Sequence, residues 1–137
     1  MNEIAPPQKI LIDTSTYTIN QFCKFDRRYY VEGFDFLSQQ NKVLISTGAK
    51  NFSSLNLMSF NQGDDCSLKS ENHVQINQDY FGEGTTFDPA TNKVYQLTYT
   101  DNKIIDYSLK GQSLQKDRET DIQNAQTVQS WWGLTSY

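Results

Sequence analysis

One histidine and two cysteines are the only nitrogen and sulfur side chains of metal-ligating type in this 137-residue sequence. Cys23 and Cys66 lie far apart with no Cys-x-x-Cys spacing, and His73 stands alone, so a zinc site of the usual kind is excluded. The two cysteines read either as one disulfide of a secreted chain or as two buried free thiols. His73 lies in the polar run ENHVQIN and reads as a surface or strand-filling residue rather than a catalytic one. Basic clusters are also scarce. Beyond Arg27-Arg28 there is none, and a net charge of -4 with a pI near 4.8 leaves no electrostatic footprint for a phosphate backbone, so nucleic acid is not an expected partner. No apolar run approaches the roughly 18 to 20 residues that span a bilayer, so no membrane is expected either. The first residues, MNEIAPPQK, lack the charged start and apolar centre of a signal peptide. Localisation stays open, since Asn51-Phe52-Ser53 is an N-glycosylation sequon that matters only in a secretory compartment.

What the sequence does contain is a repeat. Sliding it against itself by 51 positions lays Glu32-Gly33 on Glu83-Gly84, Phe36 on Phe87, Asn41-Lys42-Val43 on Asn92-Lys93-Val94 and Thr47 on Thr98. That is seven identities in the sixteen positions from Glu32 to Thr47, where chance gives about one, so the repeat is read before anything else. Lys9 to Ile19 alternates and is rich in Ile and Thr, which predicts an extra N-terminal strand within about residues 8–22 that belongs to neither copy. The first copy, about 29–80, predicts strands over Tyr29 to Phe36, Lys42 to Thr47, Ser53 to Phe60 and Glu71 to Asn77, with turns at Ser38 to Asn41 and Asn61 to Asp65.

The second copy, about 81–130, predicts strands over Phe81 to Phe87, Lys93 to Tyr99 and Lys103 to Leu109. The third of these falls 49 places after its counterpart in the first copy. Its reversals, Asp88 to Asn92 and Thr100 to Asn102, are rich in turn-forming residues. Gly111 to Gln129 is polar and weakly patterned, which predicts a long connection ending in a short strand near Thr127 to Ser130. A third copy begins at Trp131, with Gly133 lying 49 places after Gly84. Four short antiparallel strands per unit, with no convincing amphipathic helix, predict an all-β chain of β-propeller blades. The 1–137 chain then forms a single partial propeller domain of about two blades plus the start of a third. Its exposed edges are candidates for self-association. The alternative is an ordinary two-sheet β protein with a duplicated half.

Several phrases, in order, resemble the glutamine cyclotransferases of the plant and bacterial type. YFGEG followed by KVYQLTY (Tyr80 to Tyr99) is similar to that family's FGEG-T and YQLTW phrases. FDRRYYVEGFDF (Phe25 to Phe36) resembles HDPxAFTQGLxF, VLISTGAKNFSSL (Val43 to Leu55) resembles LYESTGxxGxSSL, and Trp132-Gly133-Leu134-Thr135-Ser136 resembles WGLTSD. The resemblance runs in unbroken order from about residue 22 to 137. It implies a five-bladed propeller of about 250 residues, about half of which is absent here. It also implies a glutaminyl-peptide cyclotransferase: the α-amine of an N-terminal glutamine attacks its own side-chain carboxamide, pyroglutamate forms and ammonia leaves. The implied partner is a peptide with an N-terminal glutamine, and no cofactor or metal is needed.

Because nucleophile and electrophile belong to one residue, such an enzyme supplies a folded-back pose, a proton shuttle and donors for the carbonyl oxygen. A carboxylate in an aromatic-lined pocket suits the shuttle, since desolvation raises its pKa. By this resemblance Glu83 keeps the family's glutamate, and Trp132, Tyr99 and Phe81 are candidate walls for the glutamine side chain, Tyr99 standing where the family has Trp. Glu32 replaces the glutamine of FTQG and is a second candidate acid-base group. Ile45 falls on the glutamate of ESTG, the residue assigned proton transfer in the family, and Asn56 falls on the arginine of SSLR. An isoleucine carries no proton, so the sequence allows two readings: Glu32 or Glu83 takes over the shuttle, or the chain is an inactive propeller scaffold. Structurally, the two glutamates could instead simply accept backbone N–H bonds in the turns that open each inner strand.

Overall fold

The computed structural model describes residues 30–61, 67–123 and 133–135. Its regular structure is all β apart from one 3-10 turn at Ser38–Gln40. Strands β1 (Val31–Leu37), β2 (Lys42–Thr47), β3 (Ser54–Asn61) and β4 (Ser67–Gln75) form one four-stranded antiparallel sheet in chain order. Strands β5 (Gly82–Asp88), β6 (Lys93–Thr98), β7 (Lys103–Lys110) and β8 (Ser113–Asp121) form a second sheet of the same order. The predicted N-terminal strand, Cys23, Cys66, the 127–130 strand and Trp131-Trp132 all lie outside the described residues.

Turn chemistry sets the hairpins. Asn41, Asn51, Asn92 and Asn102 all adopt positive φ, between 52° and 72°, and asparagine is the non-glycine residue that tolerates this region best. Asn41 and Asn92 occupy the same place in the two copies, as do Asn51 and Asn102, so equivalent asparagines close equivalent turns.

Alternation along the strands builds the core between the sheets. Leu44 pairs with Leu57 and Ser46 with Leu55, which puts these four on one side of the first sheet. Val94, Gln96, Ile105 and Tyr107 alternate in the same way on the facing side of the second. Leu44, Leu55, Leu57, Val94, Ile105 and Tyr107 belong to one buried cluster, completed by Leu37, Ile76, Leu109 and Leu114. Each fully buried side chain of this size contributes roughly 1.5 to 3 kcal/mol.

Polar contacts fix how the sheets meet. Gln96 is fully buried and donates from Nε2 to Ser46 Oγ at 2.8 Å and to the Ser54 carbonyl at 3.1 Å, while its Oε1 accepts the Tyr107 hydroxyl at 2.7 Å. The Asp35 carboxylate of β1 accepts the Phe87 N–H at 2.7 Å and the Thr86 hydroxyl at 3.0 Å, both from β5.

Residues 113–121 correct the sequence reading, which made them part of a connection. They form β8, paired with β7 along their whole length. Only Leu114 of this strand is buried, so no apolar alternation marks it. Its support is charge: Lys93 bonds Asp117 at 2.8 Å, Arg118 bonds Asp106 at 2.7 Å, and Lys103 pairs with Asp121. β4 likewise begins at Ser67, earlier than Glu71, through a polar stretch whose pattern hides it.

Replacing Asp35 by Ala removes the acceptor of both cross-sheet donors. The expected cost is about 1 to 3 kcal/mol, read as a lower urea midpoint at unchanged m-value. Asp79→Ala, in an exposed turn, is expected to stay within about 0.5 kcal/mol.

Candidate active site

Glu32 and Glu83 are brought together by two matching irregularities. The β1–β2 register slips between Val31 and Gly33, at Glu32, and the β5–β6 register slips between Gly82 and Thr85, at Glu83-Gly84. A β-bulge re-aims the side chain of its extra residue and favours sites of chemistry. Here each bulge carries a glutamate, at the same place in each copy.

The two bulges touch. A Cβ added to Gly33 would lie 2.7 Å from the Gly84 Cα and 2.9 Å from the Thr85 nitrogen, so β1 and β5 approach at a distance that only glycine allows. Gly48, just past β2, is as tightly surrounded: a Cβ there would meet the Phe81 ring at 2.2 Å and the Glu32 Cγ at 2.7 Å. Around this point stand Glu32, Phe81 and, across it, Tyr99, whose ring centroid is 5.9 Å from that of Phe81. The Phe81 N–H is held by Asp101 Oδ2 at 3.2 Å.

Glu83 is only 3 % exposed. Burial, and then the negative charge of Glu32, push its pKa up to about 7. Among the described residues no hydrogen bond to its carboxylate is found, so Glu83 is not serving as an acceptor for backbone N–H groups of its turn. A buried acid titrating near neutrality under the field of a second carboxylate can take up and release a proton at physiological pH.

Of the five residues singled out in the sequence, Glu83, Glu32, Phe81 and Tyr99 gather at one end of the two sheets, and Trp132 lies outside the described residues. Ile45 does not join them. It lies in mid-strand, paired with Phe34 and Asn56, on the side of the first sheet that faces away from the second, and it packs with Val43 and Met58. Asn56 bonds the Ile45 carbonyl at 3.2 Å and Ser54 Oγ at 2.9 Å, and its Oδ1 is 2.7 Å from His73 Nδ1. His73 is thus an exposed residue of β4 with a defined structural partner.

Ser53 was not singled out by the sequence reading. Its buried hydroxyl oxygen accepts the Gly82 N–H and the Ala49 N–H, each at 3.0 Å, and its proton goes to the Ala49 carbonyl. It thereby ties the loop after β2 to the residue preceding Glu83. Its signal was available in the SSL phrase, but a small hydroxyl residue looks like loop filler without the fold. A cleft of about 310 Å³ between Asp35, Ser38, Gln40, Phe87 and Asn92 opens at the other end of β1 and β5, away from the glutamates. Among the described residues no group of three His, Cys, Asp or Glu side chains converges as a metal site would require, and no helix is long and apolar enough to cross a membrane.

The family model described as Glutamine cyclotransferase matches residues 3–137. No curated protein matches the chain. A solved structure from Bacteroides uniformis, named provisionally as a 6-phosphogluconolactonase, is 16% identical with a TM-score of 0.54, the match covering 68% of this chain and 26% of that one. At that identity the likeness is one of fold alone, and the chain spans about a quarter of that protein's length.

The raised pKa of Glu83 has a stability consequence of definite sign. An acid that holds its proton more tightly when folded stabilises the fold at low pH, and that contribution is lost as pH rises from the unfolded value of 4.5 to about 7. Urea unfolding followed from pH 5 to pH 8 is expected to show that decline in the natural protein and a much flatter profile in Glu83→Gln.

Proposed function

The chain belongs to the glutamine cyclotransferase family, and we propose that the fold to which it contributes converts the N-terminal glutamine of peptides into pyroglutamate. The observation that carries this is the nearly buried Glu83, its pKa raised by burial and by the charge of Glu32, on the same end of the sheets as the Phe81–Tyr99 ring pair. On this reading the two sheets are successive propeller blades, about 29–80 and 81–130, a third begins at 131, and residues 8–22 add a strand. Glu83 opens towards the channel that the blades surround.

The reaction needs one proton relay. The neutral α-amine attacks the side-chain amide carbon and a carbon–nitrogen bond forms. The Glu83 carboxylate takes the proton that the amine sheds and returns it to the amide nitrogen, whose bond to carbon breaks as ammonia leaves. Burial, and then the charge of Glu32, keep the shuttle's pKa high. Phe81, Tyr99 and Trp132 hold the folded-back side chain and exclude water from it.

A second reading has its own observation. Ile45, on the family's proton-transfer position, is buried against Val43 and Met58 and faces away from the glutamate pair, which favours a scaffold that binds peptide without turning it over.

The two readings part in one assay. Purified chain is incubated with a Gln-initiated peptide and the loss of ammonia is followed by mass spectrometry. The enzyme reading expects turnover that rises with pH through about 7, and that falls roughly 10² to 10⁴-fold in Glu83→Gln. Folded natural chain that binds the peptide without turnover removes the enzyme reading for this chain and favours the scaffold.

A further inference from the structure

We propose that Ser53 is a positioning residue of the glutamate site: its buried hydroxyl fixes the spacing between the backbone that carries Glu83 and the loop that packs on Glu32. Its purpose rests on the proton relay of the preceding subsection; its geometry does not. The Ser53 hydroxyl is fully committed. Its oxygen accepts the Gly82 N–H and the Ala49 N–H, each at 3.0 Å, and its proton goes to the Ala49 carbonyl at 2.9 Å, which uses one donor and two acceptor positions, the whole capacity of a hydroxyl. Ser53 is 2% exposed, so these bonds are sheltered from solvent.

The two backbones it joins are those of the site. Gly82 immediately precedes Glu83 and pairs with Thr98 just before the bulge that carries the glutamate. Ala49 follows Gly48, where an added Cβ would meet the Phe81 ring at 2.2 Å and the Glu32 Cγ at 2.7 Å. The Gly48 N–H is in turn held by the carbonyl of Tyr30, the residue before β1, at 3.0 Å. Gly82 is packed as closely, since a Cβ there would lie 2.6 Å from the Thr47 carbonyl oxygen. Contact thus keeps the two supports from moving closer, and the Ser53 hydroxyl keeps them from moving apart.

The turn alone does not ask for a serine. In the second copy the residue before β7 is Asn102, whose carbonyl accepts the Ile122 N–H at 2.9 Å, as the Ser53 carbonyl accepts the Ile76 N–H at 3.1 Å. The next residues match as well: the Lys103 N–H goes to Thr98 Oγ1 and the Ser54 N–H to Thr47 Oγ1. The same backbone bonds therefore close the turn with asparagine in that place. What the hydroxyl of Ser53 adds is the tie to Gly82 and Ala49. Without it both N–H groups lose their acceptor, which is costly for buried donors, and the loop and the start of β5 part until water reaches them. Glu83 then loses burial and moves in the field of Glu32.

Carbon-13 NMR of the glutamate carboxyls in the natural chain, Ser53→Ala and Asp35→Ala tests this. In Ser53→Ala the Glu83 midpoint is expected to fall by about one unit or more towards 4.5. Adding Glu32→Gln is expected to move it less than the same change moves it in the natural chain, because the two sites are coupled through the tie. Asp35→Ala removes cross-sheet bonds at the other end of β1 and β5 and is expected to leave Glu83 unmoved, which separates positioning from general loosening. Ser53→Cys, with weaker bonds, takes the place of Ser53→Ala if that variant does not fold. With a Gln-initiated peptide that is turned over, kcat is expected to fall about tenfold or more in Ser53→Ala while KM changes little. A Glu83 midpoint that loss of the hydroxyl leaves in place overturns the proposal. So does one that Asp35→Ala moves as far, or an effect of Glu32→Gln that stays as large as in the natural chain. Absence of turnover in the natural chain removes the relay and leaves the titration to decide the positioning, whereas an unmoved Glu83 removes the positioning and leaves the relay.

Discussion

Two backbones touch where Gly33 of β1 lies over Gly84 of β5, and most of what is particular to this chain follows from that contact. With any side chain at Gly33 a Cβ would lie 2.7 Å from the facing Cα, and the sheets would have to part. With glycine they close, and the residue before each glycine is a glutamate set in a bulge. The contact that packs the fold therefore also brings two carboxylates together. Their repulsion and the burial of Glu83 are direct consequences of the packing. Both are unfavourable to the charged state and useful to proton transfer.

Around that point the sheets are held by few but well-placed polar contacts. Asp35 reaches from β1 to β5, Gln96 reaches from β6 to Ser46 and Ser54, and Ser53 holds Gly82. Hydrogen bonds of this sort add about 1 kcal/mol each in net terms, so the apolar cluster supplies the larger share of stability. What the polar contacts supply is registration: a buried amide with three partners leaves the sheets one way to meet.

Repeated residues made much of this legible in the sequence. Glu32-Gly33 and Glu83-Gly84 marked equivalent openings of two sheets, and Asn41 and Asn92 marked equivalent turns. Leu55 and Leu57 alternated as a half-buried strand must. Two kinds of feature stayed hidden. The strand Ser113–Asp121 buries only Leu114 and is held by Lys93, Lys103 and Arg118 ion pairs, so it has no hydrophobic period to read. The roles of Ser53, Gln96 and Asp35 depend on partners 29 to 52 positions away, which no local pattern encodes. Ile45 was legible as a departure from the family's phrase, but only the fold shows that it points to the outer face and not to the glutamates.

Packing at Gly33 and Gly84 buries Glu83 within the field of a second carboxylate, Glu32. Carbon-13 NMR of the glutamate side-chain carboxyls, titrated in the natural chain and in Glu32→Gln, tests it most directly. Glu83 is expected to titrate near 7. In Glu32→Gln its midpoint falls, yet stays above 4.5, because burial is the larger of the two causes. A Glu83 midpoint near 4.5 in the natural chain, or one that Glu32→Gln leaves unmoved, would contradict it.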